Sequence, residues 1–176
     1  MSFIKNELVC LRAIEPEDLE LIYTWENDSN NWHLGNTIIP FSKNTIKKYI
    51  FESANNLFID NQLRLMIDSL ENCKTIGSID LYDFDSVNMK AGVGILIDSE
   101  FRNKGYAINA LSLLIQYCFK ILNVRQLYCY VSENNKNSIS LFEKANFKKS
   151  GLLNDWIINQ GKWENVFIMQ LISVHP

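Results

Sequence analysis

The chain has 176 residues, of which 47% are hydrophobic and 21% are charged, and its formal net charge is −3. This composition is typical of a globular protein and excludes a disordered or collagen-like chain. We expect a single domain over residues 1–176, with no nucleic acid as a partner because the net charge is slightly negative.

Several other classes of protein are also unlike this sequence. The longest clean apolar run, residues 91–97, is far too short to cross a bilayer, and the N-terminus lacks the basic-then-apolar pattern of a signal peptide. We therefore expect a cytoplasmic protein with no membrane partner. The chain has two histidines and four scattered cysteines, which predict buried free thiols and no metal site.

Acidic and basic side chains are unevenly distributed along the chain. Residues 1–90 contain 14 acidic and 8 basic side chains, whereas residues 91–176 contain 6 and 9. Chance accounts for this difference about as well as function does. The functional interpretation is that the first half faces a cation and the second half faces an anion.

Hydrophobic periodicity divides the chain into strands and helices separated by polar turns. Residues 62–68 alternate between apolar and other side chains, as in a half-buried strand, whereas residues 91–98 are apolar on both faces, as in a central strand. In chain order, we predict a strand at 7–12, helices at 16–26 and 42–50, strands at 62–68, 74–84 and 91–98, a helix at 105–123, a strand at 126–131, a helix at 135–145, and strands at 147–158 and 162–172.

This order of elements predicts an α/β (α+β) fold. The helix at 105–123 connects two strands that are therefore parallel, while short turns join most of the other strands. We expect a mixed, mostly antiparallel central sheet of about seven strands flanked by four helices. In such a sheet, a ligand binds most readily beyond the C-terminal end of the central strand.

A phosphate-binding loop is predicted where the central strand meets the long helix. The first N–H groups of a helix have no internal acceptor, and the helix dipole adds partial positive charge there. Gly105 permits close approach of an anion, Ala107 keeps the first turn open, and Arg102 and Lys104 add charge. The alternative is that Gly105 is only a turn residue. The segment lacks the spacing of both nucleotide-triphosphate loops and dinucleotide-binding loops.

The segment from Arg102 to Ala107 resembles the Arg/Gln-x-x-Gly-x-Gly/Ala signature of the GNAT superfamily of N-acetyltransferases. Asn135 resembles the asparagine that opens the family's next helix, and residues 142–147 resemble its Tyr-x-Lys-x-Gly-Phe motif. Residues 156–163 resemble the final hairpin of the branch that contains ribosomal-protein alanine N-acetyltransferases and spermidine N-acetyltransferases. The similarity extends over nearly the whole chain.

The resemblance implies a GNAT-like acyl-CoA N-acyltransferase fold, with acetyl-CoA as the cosubstrate. It also implies direct transfer of the acetyl group to a primary amine, either a small cationic amine such as a polyamine or a protein N-terminus. The central strand would pair with the pantetheine arm, with a backbone N–H near Leu96 facing the developing oxyanion. The implied cofactor-binding residues are Ile95, Leu96, Ile97, Arg102, Asn103, Lys104, Gly105, Tyr106, Ala107, Asn135 and Lys144.

Two carboxylates are candidates for accepting the proton of the amine. Asp80 and Asp83 lie on the strand before the central one. Because their spacing is odd, we expect them to point to opposite faces, so that only one faces the cleft. We favour Asp80, at a position that is often acidic in the spermidine branch; the alternative for either is a solvated acid. Glu26, Asp28 and Trp32 are predicted to hold the acceptor.

The chain departs from the family at Phe142, where the usual residue is a tyrosine that protonates the departing CoA thiolate. A thiol has a pKa of about 8.5, so departure as a thiolate near pH 7.5 costs about 1.4 kcal/mol relative to the neutral thiol. We therefore expect a slower enzyme, and Tyr106, Ser138 and Tyr130 are substitute donors to consider.

Two alternatives to an enzyme of this family remain. Phe142 favours an acetyl-CoA-binding regulatory module with little turnover, and the loop by itself is compatible with an unrelated α/β phosphate-ligand domain. The oligomeric state is also open, because edge strands near the C-terminal hairpin allow a homodimer.

Overall fold

The computed structural model describes residues 4–31, 39–52 and 56–174. These residues form eight strands and five α-helices, together with 3-10 turns at Pro16–Asp18 and Ser99–Phe101. The strands are β1 (Ile4–Lys5), β2 (Val9–Ala13), β3 (Leu63–Ser69), β4 (Lys74–Asp85), β5 (Lys90–Ile97), β6 (Gln126–Ser132), β7 (Lys148–Asn159) and β8 (Lys162–Ile172). The helices are α1 (Leu19–Asn27), α2 (Lys43–Glu52), α3 (Leu57–Asp60), α4 (Tyr106–Lys120) and α5 (Lys136–Lys144).

The predicted fold class is confirmed. All strands belong to one sheet with the order β1-β2-β3-β4-β5-β6-β8-β7, and every pair is antiparallel except β5 with β6. The elements follow the predicted order, and the two unpredicted ones, β1 and α3, are short. Segments of two and four residues are too short to show a periodicity, which is why the sequence pattern did not indicate them.

The two parallel strands in the centre of the sheet, β5 and β6, are hydrogen-bonded to each other over only part of their length. β5 pairs with β6 at Lys90, Ala91 and Gly92, opposite Gln126, Leu127 and Tyr128, and no pairing between the two strands follows. On its other edge, β5 stays paired with β4 as far as Ile97. The edge of β5 that faces β6 is therefore free of a strand partner from Val93 to Ile97. A gap opens here in the middle of the sheet.

Helices cover both faces of the sheet. α4 presents a fully buried stripe that includes Ala110, Leu111, Leu114 and Cys118, which joins the larger of two apolar clusters. Burying a leucine side chain contributes about 1.5–3 kcal/mol, so this stripe holds α4 firmly on the sheet. On the opposite face, α1 and α2 pack over the sheet in a smaller cluster formed by Ile14, Ile22, Trp25, Ile46, Ile50 and Met66.

Arg12 ties the start of α1 to the sheet. Its guanidinium donates to both carboxylate oxygens of Asp18, at 2.7 and 2.8 Å, and to Asp68 at 2.7 Å. The hydrogen bonds that Arg12 donates to Asp18 raise the pKa of Arg12 despite the opposing effect of burial. Asp18 directly precedes α1. This contact therefore fixes the position of the N-terminus of α1 on the sheet, and with it the position of the C-terminal end of the helix.

The cysteines lie mostly where we expected them. Cys10, Cys118 and Cys129 are buried free thiols, and burial raises the pKa of Cys118 to about 12. The prediction is wrong for Cys73, which is exposed in the turn between β3 and β4. Among the described residues, no helix is long and apolar enough to cross a membrane, and no three or more potential metal ligands are grouped together.

Gly77 on β4 marks a close approach to β5 and gives a first prediction. A Cβ there would lie 2.1 Å from the carbonyl oxygen of Leu96, a backbone atom that cannot move aside alone. We expect Gly77→Ala to lower the free energy of unfolding by about 1–3 kcal/mol. Gly151→Ala is the control, because no atom lies within 4 Å of its new methyl group. Urea denaturation curves with equal midpoints for the two variants would contradict this interpretation.

Candidate active site

A cavity of about 480 Å³ lies where the end of β5 meets the N-terminal ends of α4 and α5. We call it the loop cavity. It collects ten of the eleven residues that the sequence pattern predicted to bind the cofactor, although they come from four separate segments of the chain. Those ten are Ile95, Leu96, Ile97, Arg102, Asn103, Gly105, Tyr106, Ala107, Asn135 and Lys144.

The loop before α4 is shaped by its backbone. Gly105 has φ +83° and immediately precedes the first residue of α4, and Asn103 also has a positive φ, of 62°. Arg102 is held in place by its Nε, which donates to the carbonyl of Ile97 at 2.9 Å, and by its Nη2, which donates to Asn31 Oδ1 at 3.3 Å. The loop thus brings a guanidinium and a helix N-terminus to one cavity, which is an arrangement suited to an anion.

Lys104 is the predicted cofactor residue that the structure does not bring to the loop cavity. Its Nζ donates to the carbonyl of Glu100 at 3.0 Å and lies 5.3 Å from the centre of the Phe101 ring. The ammonium group therefore folds back over the 3-10 turn before the loop. This turn offers a free carbonyl and an aromatic face, which sequence spacing alone does not reveal.

α5 forms the opposite wall of the loop cavity. Asn135 is its N-cap residue, since its side-chain oxygen accepts a hydrogen bond from the backbone N–H of Ser138 at 3.0 Å. Ser138 and Lys144 line the cavity, but Phe142 does not. Phe142 is 4% exposed and its ring meets that of Phe147 edge-on at 5.0 Å. Position 142 therefore serves the hydrophobic core and carries no acidic proton.

A second cavity, of about 550 Å³, lies between β3, β4, β5 and β6. It contains four aromatic side chains, so we call it the aromatic cavity. Gly94 lines it, while the next residue, Ile95, lines the loop cavity, so that β5 forms a boundary shared by the two. The residues that line the aromatic cavity include Tyr49, Gln62, Arg64, Asp80, Tyr82, Asp83, Gly94, Tyr130, Ser132 and Trp156.

Arg64 lies at the centre of the charged groups beside the aromatic cavity. Its Nε and Nη2 donate to the two carboxylate oxygens of Asp80 at 2.7 and 3.3 Å, and its Nη1 donates to Glu26 Oε1 at 2.6 Å. The guanidinium carbon also lies 5.7 Å from the centre of the Tyr49 ring. Burial lowers the pKa of Arg64, but Asp80 and Glu26 raise it by more, so Arg64 stays charged.

The two candidate bases, Asp80 and Asp83, both line the aromatic cavity, so the expectation that only one faces it is wrong. The register between β4 and β5 shifts between Tyr82 and Asp85, and Asp83 has φ +48°. Such a bulge breaks the alternation of side chains on which that expectation rested. Unlike Asp80, Asp83 is exposed and makes no hydrogen bond or ion pair to any residue that the structure describes.

The proposed substitute donors are separated by the structure. The hydroxyl of Tyr106 donates to Glu71 at 3.1 Å and accepts from Asn72 at 3.0 Å, near the turn between β3 and β4. The Tyr106 hydroxyl therefore points away from the strand β5 that separates the two cavities. Ser138 lines the loop cavity and Tyr130 lines the aromatic cavity, so these two remain at the site.

The predicted acceptor residues lie in three different situations. Glu26 does not line the aromatic cavity, but it accepts a hydrogen bond from Arg64, which does. Asp28 instead stabilises the turn after α1, where it accepts hydrogen bonds from Asn30 and Asn31. Trp32 lies outside the described residues.

Sequence reasoning missed Arg64, Tyr49 and Tyr82 as residues of the aromatic cavity. One signal was available in the sequence. Arg64 is a charged residue within a strand that is predicted to be half-buried, and a charged group that is partly buried needs a partner of opposite charge. Tyr82 gave no such signal. Its pKa is raised chiefly by burial, so its phenol stays neutral beside the carboxylates.

Comparison with known proteins adds the family and the fold. A family described as an acetyltransferase (GNAT) domain matches residues 9–148. An uncharacterized N-acetyltransferase of Bacillus licheniformis is 28% identical over 174 residues, 98% of this chain and 97% of that protein. The spermidine N(1)-acetyltransferase of Vibrio cholerae is 26% identical over 173 residues, 96% of this chain and 95% of that protein. A putative ribosomal N-acetyltransferase of Bacillus subtilis is 26% identical over 175 residues, 96% of this chain and 93% of that protein.

Solved structures show the same fold. The spermidine N-acetyltransferase from Vibrio cholerae, in complex with CoA and spermine, superposes with a TM-score of 0.85 at 24% identity, covering 95% of this chain and 96% of that one. An acetyltransferase from Bacillus anthracis gives a TM-score of 0.79 at 18% identity, covering 96% and 97%.

The N-cap of α5 gives a prediction for the wall of the loop cavity. Asn135→Ala removes the acceptor for the Ser138 N–H and should lower the free energy of unfolding by about 1 kcal/mol. Asn135→Asp keeps a capping oxygen, so we expect its stability to stay within about 0.5 kcal/mol of the unmodified protein. Both values are measured by urea denaturation. Equal losses of unfolding free energy in the two variants would show that the hydrogen bond between the Ser138 N–H and the side chain at position 135 does not contribute to stability.

Proposed function

The chain belongs to the acetyltransferase (GNAT) domain family, and we propose that its two cavities hold the donor and the acceptor of one transfer reaction. The protein is an N-acetyltransferase that moves the acetyl group of acetyl-CoA to a primary amine. The observation that carries the proposal is the early end of the β5–β6 pairing, beside which the loop cavity and the aromatic cavity share the strand β5.

The loop cavity fits the CoA part of the donor. The N-terminus of α4, Gly105 and the fixed guanidinium of Arg102 suit a pyrophosphate, which is doubly negative. The free backbone edge of β5 near Ile95 and Ile97 suits an extended amide-containing arm such as pantetheine. Asn135, Ser138 and Lys144 complete the wall on the α5 side. Acetyl-CoA supplies the activated thioester.

In the transfer step, the nitrogen of the neutral amine attacks the thioester carbonyl carbon. The C–N bond forms, the C–S bond breaks, and the sulfur leaves with the electron pair as a thiolate. The proton lost from nitrogen goes to a carboxylate, directly or through water. A backbone N–H of β5 near Leu96 would donate to the developing oxyanion. Phe142 contributes no proton to the thiolate.

Asp80 and Asp83 would divide two tasks in the aromatic cavity. Asp80 is next to β5, since a Cβ built on Gly94 would lie 3.9 Å from the Cβ of Asp80. Arg64 holds the carboxylate of Asp80 in a fixed orientation. We assign proton acceptance to Asp80. Asp83 has no partner of its own among the described residues, and we assign to it the attraction of a cationic acceptor.

The acceptor class that fits best is a small cationic amine such as a polyamine. Glu26, Asp80 and Asp83 carry three negative charges against the single positive charge of Arg64. The four aromatic side chains offer faces that attract ammonium groups. Relatives from Vibrio cholerae and Escherichia coli that are named spermidine N(1)-acetyltransferases support the same class.

Gly105 provides the test of the donor side. Gly105→Val forces a β-branched residue into a left-handed conformation at the start of α4, which should disturb the first N–H groups and weaken CoA binding by about tenfold or more. Gly161→Val imposes the same kind of strain in the β7–β8 turn, where φ is +78°. The dissociation constants are measured by isothermal titration calorimetry. Equal CoA affinities in the two variants would refute the assignment of the loop.

The acceptor side is tested by following CoA release with polyamines, amino sugars and N-terminal peptides as acceptors. We expect turnover with polyamines, and Asp83→Asn should raise KM for them several-fold without changing CoA affinity, because a charge-assisted contact is lost. Asp155→Asn is the matched control: it removes the same charge from an exposed residue with a similar φ of 47°, outside the aromatic cavity. CoA binding without release on any acceptor would favour a regulatory module instead.

A further inference from the structure

Arg64 joins a helix and a neighbouring strand of the sheet at this site. Asp80 lies on β4, whereas Glu26 lies in the last turn of α1, which packs on the face of the sheet together with α2. A single guanidinium bridges the two carboxylates with three hydrogen bonds between 2.6 and 3.3 Å. The side chains remain partly accessible, at 21% for Arg64 and 27% for Asp80, so the bridge faces the aromatic cavity.

We propose that Arg64 is the positioning residue of the acceptor site: its guanidinium aims Asp80 at the β5 boundary, and its charge offsets the carboxylates so that a bound ammonium group can release its proton. The proposal rests on the proposed function, because it concerns the amine that the aromatic cavity accepts.

The charge part of the proposal follows from the protonation state that each step needs. An amine binds as the ammonium form but attacks the thioester only as the neutral form. Carboxylates nearby favour the ammonium form, and a cation nearby opposes it. A cavity with three uncompensated carboxylates would therefore bind the acceptor well and hinder its deprotonation. Arg64 moderates this effect without leaving the cavity neutral.

The other titratable groups around the cavity do not replace Arg64. Burial raises the pKa of both Tyr49 and Tyr82, which favours their neutral phenol forms. No second cation lines the aromatic cavity among the described residues. Among the described residues, the titratable groups that line the aromatic cavity or contact the guanidinium are Glu26 from α1, Tyr49 from α2, Asp80, Tyr82 and Asp83 from β4, and Tyr130 from β6.

The geometric part depends on the fork of the guanidinium. Nε and Nη2 bind both oxygens of Asp80 from one side and hold the carboxylate in one orientation, with Oδ2 4.0 Å from the position of a Cβ built on Gly94 of β5. A lysine would keep the charge but lose the paired contact, because an ammonium group has no planar fork. Charge and orientation are therefore separable by substitution.

The test measures kcat and KM for spermidine at saturating acetyl-CoA from about pH 6 to about pH 10, where an amine with a pKa near that of lysine titrates. For Arg64→Gln we expect the acidic limb of the plot of kcat against pH to move to higher pH by about one unit. At pH 7, kcat should therefore fall about tenfold, while KM should stay unchanged or become lower. Glu26→Gln should move the limb the other way. The double variant restores the net charge, and its limb should return to that of the unmodified protein.

Arg64→Lys separates the two parts of the proposal. The retained charge should keep the acidic limb in place, while the lost fork should lower kcat several-fold. Glu20→Gln is the matched control, since it removes one carboxylate of an exposed ion pair with Lys43 between α1 and α2. We expect its profile to match that of the unmodified protein. A limb that stays fixed in both Arg64→Gln and Glu26→Gln would overturn the proposal.

Calorimetry gives a second readout that does not depend on turnover. Spermidine is titrated into the CoA-saturated protein at about pH 9, where part of the free amine is neutral, in buffers of different ionisation enthalpy. The dependence of the heat on the buffer counts the protons exchanged with solvent on binding. Because a cation near the amine opposes its ammonium form, we expect Arg64→Gln to take up more protons on binding than the unmodified protein does. Equal proton exchange in the two proteins would overturn the role of Arg64. The expected difference without any acetylation of spermidine would overturn only the proposed acceptor, and no binding of spermidine would overturn both proposals.

Discussion

The site depends on the point at which β5 and β6 stop pairing. Parallel strands normally continue side by side, since leaving a buried N–H or C=O group unpaired costs about 1–3 kcal/mol. Here the ladder ends after Gly92 and Tyr128, while β5 continues to Ile97. The free edge of β5 can keep its hydrogen bonds by pairing with an extended ligand. A fold that leaves such an edge in its centre is therefore prepared for a substrate with amide groups.

The two cavities beside β5 have opposite electrostatic character. The loop cavity holds the N-terminus of α4, the guanidinium of Arg102 and the side chain of Lys144. The aromatic cavity holds Asp80 and Asp83 with a single compensating cation. This matches the asymmetry of the sequence, in which residues 1–90 are acidic and residues 91–176 are basic. A polyanionic donor and a cationic acceptor are thus drawn to opposite sides of one strand.

The sequence predicted the regular elements and the loop of this site because both depend on local patterns. Gly105 and the turn of α4 that follows need only short-range spacing. The features that escaped prediction depend on contacts across the sheet. The bulge at Asp83 follows from the register of β4 against β5, and the fold-back of Lys104 depends on where the 3-10 turn places its carbonyl. Arg64 matters because α1 brings Glu26 to it, which no spacing in the sequence indicates.

Two free-energy costs, deprotonation of the amine and departure of the thiolate, can be compared for the proposed reaction. Without a proton from position 142, departure of the thiolate near pH 7.5 costs about 1.4 kcal/mol, because its pKa is about 8.5. A primary amine with a pKa of about 10.4 must lose its proton first, which costs about 4 kcal/mol at the same pH. The second cost is the larger, and the groups that we propose to govern it are Asp80, Glu26 and Arg64, which form one ion-paired cluster. A phenylalanine buried at position 142 is therefore compatible with catalysis, provided that the charges around the amine are balanced.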